Sequence, residues 1–120
     1  MVNKSFWHGK KVFVTGHTGF KGTWLTHWLG LLGAQIVGFS FDIDQQQKKL
    51  FAESALPYLT KSYLGDIRQY EVIAAKVHEE EPDIIFHLAA QPLVGESFIF
   101  PLETFDTNLM GTVNLLETLK

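Results

Sequence analysis

The sequence predicts a doubly wound α/β domain built on a parallel sheet, and three observations carry that expectation. Short apolar runs suited to strands alternate along the chain with helical patterns, an order that makes successive strands parallel through right-handed crossovers. The runs at residues 11–15 and 83–88 are nearly continuous apolar segments, as strands covered on both faces require. A glycine-rich turn then joins the first run to the first helical pattern, which places it at the carboxyl end of a strand and the start of a helix.

The elements follow in order. Residues 11–15 form the first strand. Residues 21–32 form a helix whose apolar face is Trp24, Leu25, Trp28, Leu29 and Leu32, closed by Gly33 in the position of a left-handed cap. Residues 35–41 form the second strand, and 50–55 a short helical turn. Residues 61–64 form a third, more polar strand. A helix over 68–81 carries Val72, Ile73 and Val77 on one side and ends at Pro82. Residues 83–88 form the fourth strand, and 102–120 a last helix with Phe105, Leu109, Val113, Leu116 and Leu119 at helical spacing. Gly111 inside that helix costs about 1 kcal/mol relative to alanine, which close packing against a neighbour would offset. Trp7, Phe98, Phe100 and Phe105 are expected to pack, with residues 98–100 alternatively lining a substrate mouth. The strand order at this end should be 3-2-1-4. A complete dinucleotide fold has about six strands, so residues 1–120 are expected to be the N-terminal part of an NAD-binding Rossmann-type domain. The rest of that domain and a substrate domain would lie outside them.

Composition narrows the function. With 46% hydrophobic and 19% charged residues, the chain has the balance of a folded domain. Its net charge is −3 and Arg68 is its single arginine, so it lacks the basic face that nucleic-acid binding needs. It has no cysteine, hence no thiolate metal site or cysteine nucleophile. Its most apolar stretch, residues 24–41, is broken by His27 and Gln35 and punctuated by glycines, unlike a membrane span. No histidine pair has zinc-binding spacing. A soluble cytoplasmic protein without nucleic-acid or membrane partners is the expectation.

The chemistry concentrates in Gly16-His17-Thr18-Gly19-Phe20-Lys21-Gly22. Gly16 permits a tight turn out of the strand, Gly19 lets backbone approach a pyrophosphate, and Gly22 lets the helix pack closely. The helix start supplies unpaired N–H groups and a partial positive charge. Asp42 stands about 20 residues beyond Gly22, where a carboxylate accepts from the adenosine ribose and repels a 2′-phosphate, favouring NAD over NADP. Asp44 is a rival, and a solvated loop carboxylate is the alternative. Asp66 and Ile67 fall at the carboxyl edge of the third strand, suited to the adenine amino group and ring. Alternatively, Asp66 caps the following helix. Leu88, Ala89 and Ala90 leave the fourth strand as small or slim residues beside which a cofactor can lie. Gln91 and Ser97 are substrate-binding candidates or polar rim residues. His87 reads as a buried histidine bonded to backbone. Asn108 either ties down the loop after the fourth strand or is purely structural.

These motifs, with Gly65-Asp66-Ile67-Arg68, His87-Leu88-Ala89-Ala90-Gln91-Pro92-Leu93-Val94 and Thr107-Asn108-Leu109-Met110-Gly111-Thr112, resemble the extended short-chain dehydrogenases/reductases that act on nucleotide sugars. Within them, the chain is most similar to the CDP-glucose 4,6-dehydratases, over about residues 6–120. The resemblance implies conversion of CDP-glucose to CDP-4-keto-6-deoxyglucose, by transient oxidation at C4, elimination of water across C5–C6 and return of the hydride to C6. It implies NAD as cofactor on Gly16, Gly19, Phe20, Lys21, Gly22, Asp42, Asp66, Ile67, Leu88, Ala89 and Ala90. It also implies a supporting role for Asn108, a CDP-glucose substrate and a homodimer in the whole protein. The sequence departs from the family where Gly95-Glu96 replaces a usual basic residue. The family's Tyr-x-x-x-Lys pair is absent, because Tyr58, Tyr63 and Tyr70 have no lysine four residues on. No catalytic residue is therefore assigned, and residues 1–120 alone are expected to be inactive. A nucleotide-sugar epimerase or other dehydratase with the same cofactor half, or a non-catalytic dinucleotide-binding module, are the alternatives.

Overall fold

The computed structural model describes residues 2–41, 43 and 45–120. Asn3 opens a short helix α1 (Lys4–Trp7), its side-chain oxygen accepting from the Ser5 amide at 3.0 Å. The chain continues through β1 (Lys11–Thr15), α2 (Phe20–Leu31), β2 (Gln35–Ser40), α3 (Gln45–Ser54), a 3-10 turn (Leu56–Tyr58), β3 (Leu59–Leu64), α4 (Tyr70–Glu80) and β4 (Ile84–His87). It ends in α5 (Val94–Ile99), α6 (Pro101–Phe105), a π-helical turn (Asp106–Met110) and α7 (Gly111–Glu117). Among the described residues the four strands form one parallel sheet in the order β3-β2-β1-β4, the Rossmann-like arrangement. The order reverses between β1 and β4, and in such sheets ligands bind outside the carboxyl ends of the strands at that reversal.

The pleat explains why β1 reads as an unbroken apolar run. Val12 and Val14 join Leu29 and Ile36 in a core layer on one face, while Phe13 joins Val37, Phe39, Ile67, Ile73, Val77 and Leu115 on the other. Successive side chains point to opposite faces, so both must be apolar. β3 is an edge strand with Thr60, Lys61 and Ser62 exposed, polar in the way edge strands avoid unwanted pairing.

Several expectations need correction. The turn over 50–55 is part of a longer helix that starts at Gln45, because the glutamines are good helix formers. α1 and α5 have no signal in hydrophobic periodicity. α2 buries Gly22, Thr23, Thr26 and Leu29, whereas Trp24 and Trp28 are about half exposed. The helix approaches its neighbours through small residues: a Cβ on Gly30 would fall 2.4 Å from Tyr58. Val72 is exposed on α4, which instead buries Ile73, Ala74, Val77 and Glu80. The last helix is inverted relative to expectation. Phe105, Leu109, Val113, Leu116 and Leu119 are all exposed, and Gly111, Leu115 and Thr118 face inward. Trp7 packs on Phe86, but Phe98 and Phe100 are exposed.

Glu80, at the amino edge of the sheet, is the one buried carboxylate among the described residues. It accepts from Lys61 Nζ at 2.6 Å and from the Tyr63 hydroxyl, and Lys11 Nζ lies 3.8 Å away. The Lys61 ammonium, followed by the Tyr63 hydroxyl, holds its carboxyl below the ordinary range. A lowered folded-state pKa stabilises the fold above the unfolded value, about 4.3 for glutamate, and that contribution is lost as pH falls through the folded value. Glu80→Gln is therefore expected to lower the thermal midpoint at pH 7, with the gap to wild type narrowing toward pH 3. Circular-dichroism melts at both pH values check this, and a gap that stays constant would contradict it.

Candidate functional site

The turn after β1 is organised by close backbone contact. Gly16 has φ +73°, a left-handed conformation that favours glycine, and its amide donates to Phe39 O at 2.8 Å. A Cβ on Gly16 would sit 2.7 Å from the Ala89 nitrogen, and one on Gly22 would sit 2.0 Å from the Gly16 oxygen. A Cβ on Gly19 would meet only the Gly16 oxygen, at 3.4 Å, so Gly19 presents open backbone. Gly19 is the N-cap of α2, and no side chain caps the helix there. The first helical turn therefore keeps unsatisfied N–H groups at a positive dipole end, the chemistry that receives an anion.

These glycines open onto a groove of about 670 Å³ along the carboxyl edge of the sheet. One wall is Gly16, Gly19, Phe20, Lys21 and Gly22. A second is Phe39, Ser40, Phe41 and Ile43 at the end of β2. A third is residues 65–68 after β3, and a fourth is residues 88–92 after β4, with Glu103 and Thr107 closing one side. The groove gathers eleven of the residues singled out from the sequence: Gly16, Gly19, Phe20, Lys21, Gly22, Asp66, Ile67, Leu88, Ala89, Ala90 and Gln91. Its volume suits a cofactor-sized ligand, and its bare-backbone end fits the pyrophosphate of a dinucleotide. Asp42 and Asp44 lie outside the described residues. Ser97 is not brought into the groove; it sits on α5 with its hydroxyl donating to Val94 O at 2.6 Å.

Asp66 does not cap α4, whose N-cap is Gln69. Its carboxylate accepts from the Arg68 amide at 2.9 Å and from the Arg68 guanidinium, with Nη2 at 2.6 Å. That guanidinium holds the Asp66 carboxyl below its ordinary pKa, so Asp66 is ionised and already partnered.

His87 is tied to side chains, not to backbone as the sequence reading held. Thr15 Oγ1 accepts from the Leu88 and Ala89 amides at 3.1 and 3.2 Å and lies 2.6 Å from His87 Nδ1. With its acceptor capacity used, the Thr15 hydroxyl donates to Nδ1. Nε2 then carries the proton and donates to Thr112 Oγ1 at 3.1 Å, and Thr112 donates to Asn108 O at 2.8 Å. Burial pushes the His87 pKa down, which keeps the ring neutral, and the Thr15 and Thr112 hydroxyls select this tautomer. Asn108 in turn brackets Gln91, accepting from its amide at 2.7 Å and donating to its carbonyl at 3.0 Å. The Gln91 side chain bonds back to its own loop and to Thr104.

His17 is almost fully buried beneath the glycine turn. Its Nε2 lies 2.8 Å from Ser62 Oγ, and a Cβ on Gly38 would come within 2.2 Å of its ring. Gly38 is thus the notch in β2 that admits the imidazole. Burial pushes its pKa down to about 4, the Phe39 backbone only partly opposing this. Among the described residues, no group of three or more His, Cys, Asp or Glu could hold a metal ion, and no helix is long and apolar enough to cross a membrane.

Sequence reasoning gave no individual role to Thr15, Arg68, Glu103, Thr107 or Thr112, although Arg68, Thr107 and Thr112 stand within the quoted motifs. The hydroxyls carry no periodic signal, and Glu103 reaches the groove only because α6 folds back over it. Asn108 and Gly111 were legible as polar or flexible interruptions of the last helical pattern, and Gln91 as a polar residue in the segment leaving the fourth strand.

Comparisons with known proteins identify relatives of this sequence and of its fold. The sequence pattern of the family described as GDP-mannose 4,6 dehydratase matches residues 13–120. The CDP-glucose 4,6-dehydratase of Salmonella typhimurium is 51% identical over 120 residues, 100% of this chain and 33% of that protein. A UDP-glucose 4-epimerase of Neisseria meningitidis serogroup B is 32% identical over 114 residues, 90% of this chain and 32% of that protein. Among solved structures, the UDP-glucose-4-epimerase of Stenotrophomonas maltophila with bound NAD and formylated UDP-arabinopyranose superposes with a TM-score of 0.74 at 28% identity, over 92% of this chain and 33% of that one. Epimerase Mth375 of Methanothermobacter thermautotrophicus superposes with a TM-score of 0.77 at 28% identity, over 96% and 33% of the two chains. The chain spans about a third of the length of the relatives it matches. By its sequence pattern and by these relatives, the chain belongs to the GDP-mannose 4,6 dehydratase family.

Proposed function

We propose that these residues form the NAD-binding part of a nucleotide-sugar dehydratase that converts CDP-glucose to CDP-4-keto-6-deoxyglucose in the cytoplasm. The observation that carries the reading is the 51% identity to a CDP-glucose 4,6-dehydratase over the whole chain, together with a glycine turn whose uncapped helix start opens on the groove. In this reaction C4 is oxidised, C6 is reduced and one water is lost, so the sugar undergoes no net redox change. Bound NAD supplies reversible two-electron oxidation and is regenerated in each turnover.

This chain's residues bind and orient. The turn from Gly16 to Gly22 holds the pyrophosphate on main-chain N–H groups, with Phe20 and Lys21 supplying backbone in the first helical turn. Asp42 takes the adenosine ribose; its neighbours Phe41 and Ile43 both line the groove. The adenine packs on Ile67 with Asp66 at its edge. Leu88, Ala89 and Ala90 run beside the cofactor, Gln91 meets the sugar nucleotide, and Asn108 keeps the Gln91 backbone in place. Ser97, on the neighbouring α5, is a more distant substrate candidate. The exposed apolar stripe of Phe105, Leu109, Val113 and Leu116 is where a second copy would pack in a homodimer.

Three outcomes are expected. The complete protein incubated with CDP-glucose and NAD should yield a product lighter by one water in mass spectrometry; unchanged CDP-glucose alongside turnover of another nucleotide sugar would redirect the substrate assignment. Asp42→Ala should weaken NAD binding by roughly 10- to 100-fold, the value of a hydrogen bond to a charged group, while leaving NADP binding nearly unchanged; calorimetry showing equal losses would remove the ribose role. Gly22→Ala should cost about 1–3 kcal/mol of stability through overpacking and abolish NAD binding, read by thermal melts and by titration at a temperature where the variant is folded.

A further inference from the structure

The turn between β3 and α4 belongs to no regular element, yet two of its carbonyls are held by one distant side chain. Asn114 Nδ2 on α7 donates to Ile67 O at 3.1 Å and to Arg68 O at 3.0 Å. Three residues earlier on α7 stands Gly111, where a Cβ would fall 2.7 Å from Ile67 Cγ2. One helical turn of α7 thus fixes both the backbone of this segment and the place of the Ile67 side chain. Ile67 is 4% exposed, yet it lines the groove, as does Arg68. Arg68 in turn holds Asp66 and reaches Glu103 of α6 at 3.7 Å. The same helical stretch grips the other side of the groove, through Asn108 on Gln91 and Thr112 on His87.

We propose that Asn114 is a positioning residue for the adenine end of the groove: by holding the Ile67 and Arg68 carbonyls it sets where Ile67 meets the base and where the Asp66–Arg68 pair faces the base's edge. This rests on the dinucleotide reading above. Asn114 touches no ligand itself. It acts through the main chain of residues 67 and 68, with Gly111 leaving the space that the arrangement needs. Removing the amide leaves two carbonyls of the turn without their donor, and the turn relaxes away from the geometry that recognises adenine. A purely structural role for Asn114 would weaken every dinucleotide alike.

The test uses the complete protein and three ligands: NAD, ADP-ribose, and nicotinamide hypoxanthine dinucleotide, in which a carbonyl replaces the adenine amino group. Affinities are measured by calorimetry for wild type, Asn114→Leu and Asn114→Ser, after melts confirm folding. Serine serves if the leucine variant does not fold, since its short hydroxyl cannot span both carbonyls. The expected result is about a tenfold loss for NAD and for ADP-ribose, with a smaller loss for the hypoxanthine dinucleotide, which shares the Ile67 contact but lacks the amino group, so that the preference for adenine shrinks. Folded variants that bind NAD as wild type does, or that lose both dinucleotides by the same factor, overturn the proposal. If wild type binds none of the three ligands, the dinucleotide reading itself fails, and this inference falls with it.

Discussion

Three stretches of bare main chain meet at the carboxyl end of β1, and the rest of the molecule is arranged around that contact. Gly16 turns the chain at positive φ against the backbone of Leu88 and Ala89, and Gly22 rests on the Gly16 carbonyl. No side chain fits between them. The start of α2 is therefore drawn onto the sheet edge with its N–H groups uncapped. Close approach of this kind reverses the usual rule for which helix face is buried. Small residues of α2 lie inward, and its tryptophans are left half exposed, because bulky side chains would hold the helix away from the turn.

A polar residue inside an apolar strand is costly unless every hydrogen-bonding group is satisfied. Thr15, fully buried at the end of β1, meets that condition through two amides and His87. The bonds then run in one direction through Thr112 to the Asn108 carbonyl. The strand at the reversal of the sheet order is thereby joined to the π-helical turn that carries Asn108. That turn is a single wide loop of helix, a form found frequently at functional sites.

Particular residues show what could be read from the sequence. The strand order and the ends of β1 followed from apolar runs and glycine punctuation, because a strand covered on both faces leaves little choice of residue. All eleven groove residues named from the sequence lie in the segments that follow β1, β3 and β4, from the turn into α2 to the connections before α4 and α5, where topology alone places ligand contacts. The faces of the helices were read less well. Leu109 and Val113 form the obvious apolar stripe of the last helix, yet Gly111 and Leu115 are the residues turned inward. Periodicity reports that a stripe exists and not which neighbour it meets. Tertiary hydrogen bonds such as Asn114 to Ile67 and Arg68 have no local pattern by which to be recognised.

Charge is distributed unequally between the two ends of the sheet, and this bears on how an anion would be held. At the amino edge, Glu80 gathers Lys11, Lys61 and Tyr63 into an ionic cluster. At the carboxyl edge, burial lowers the pKa of both His17 and His87, so neither ring offers a cation at neutral pH. The guanidinium of Arg68 is already committed to Asp66. What remains beneath the groove is the dipole of α2 and its unpaired amides, supplemented by the exposed Lys21. A fixed array of backbone donors needs no side-chain rearrangement to receive a diphosphate, whereas a buried imidazolium would demand desolvation of its own charge. The depressed histidine pKa values and the glycine turn are therefore two sides of one arrangement, in which main chain takes the place of cationic side chains.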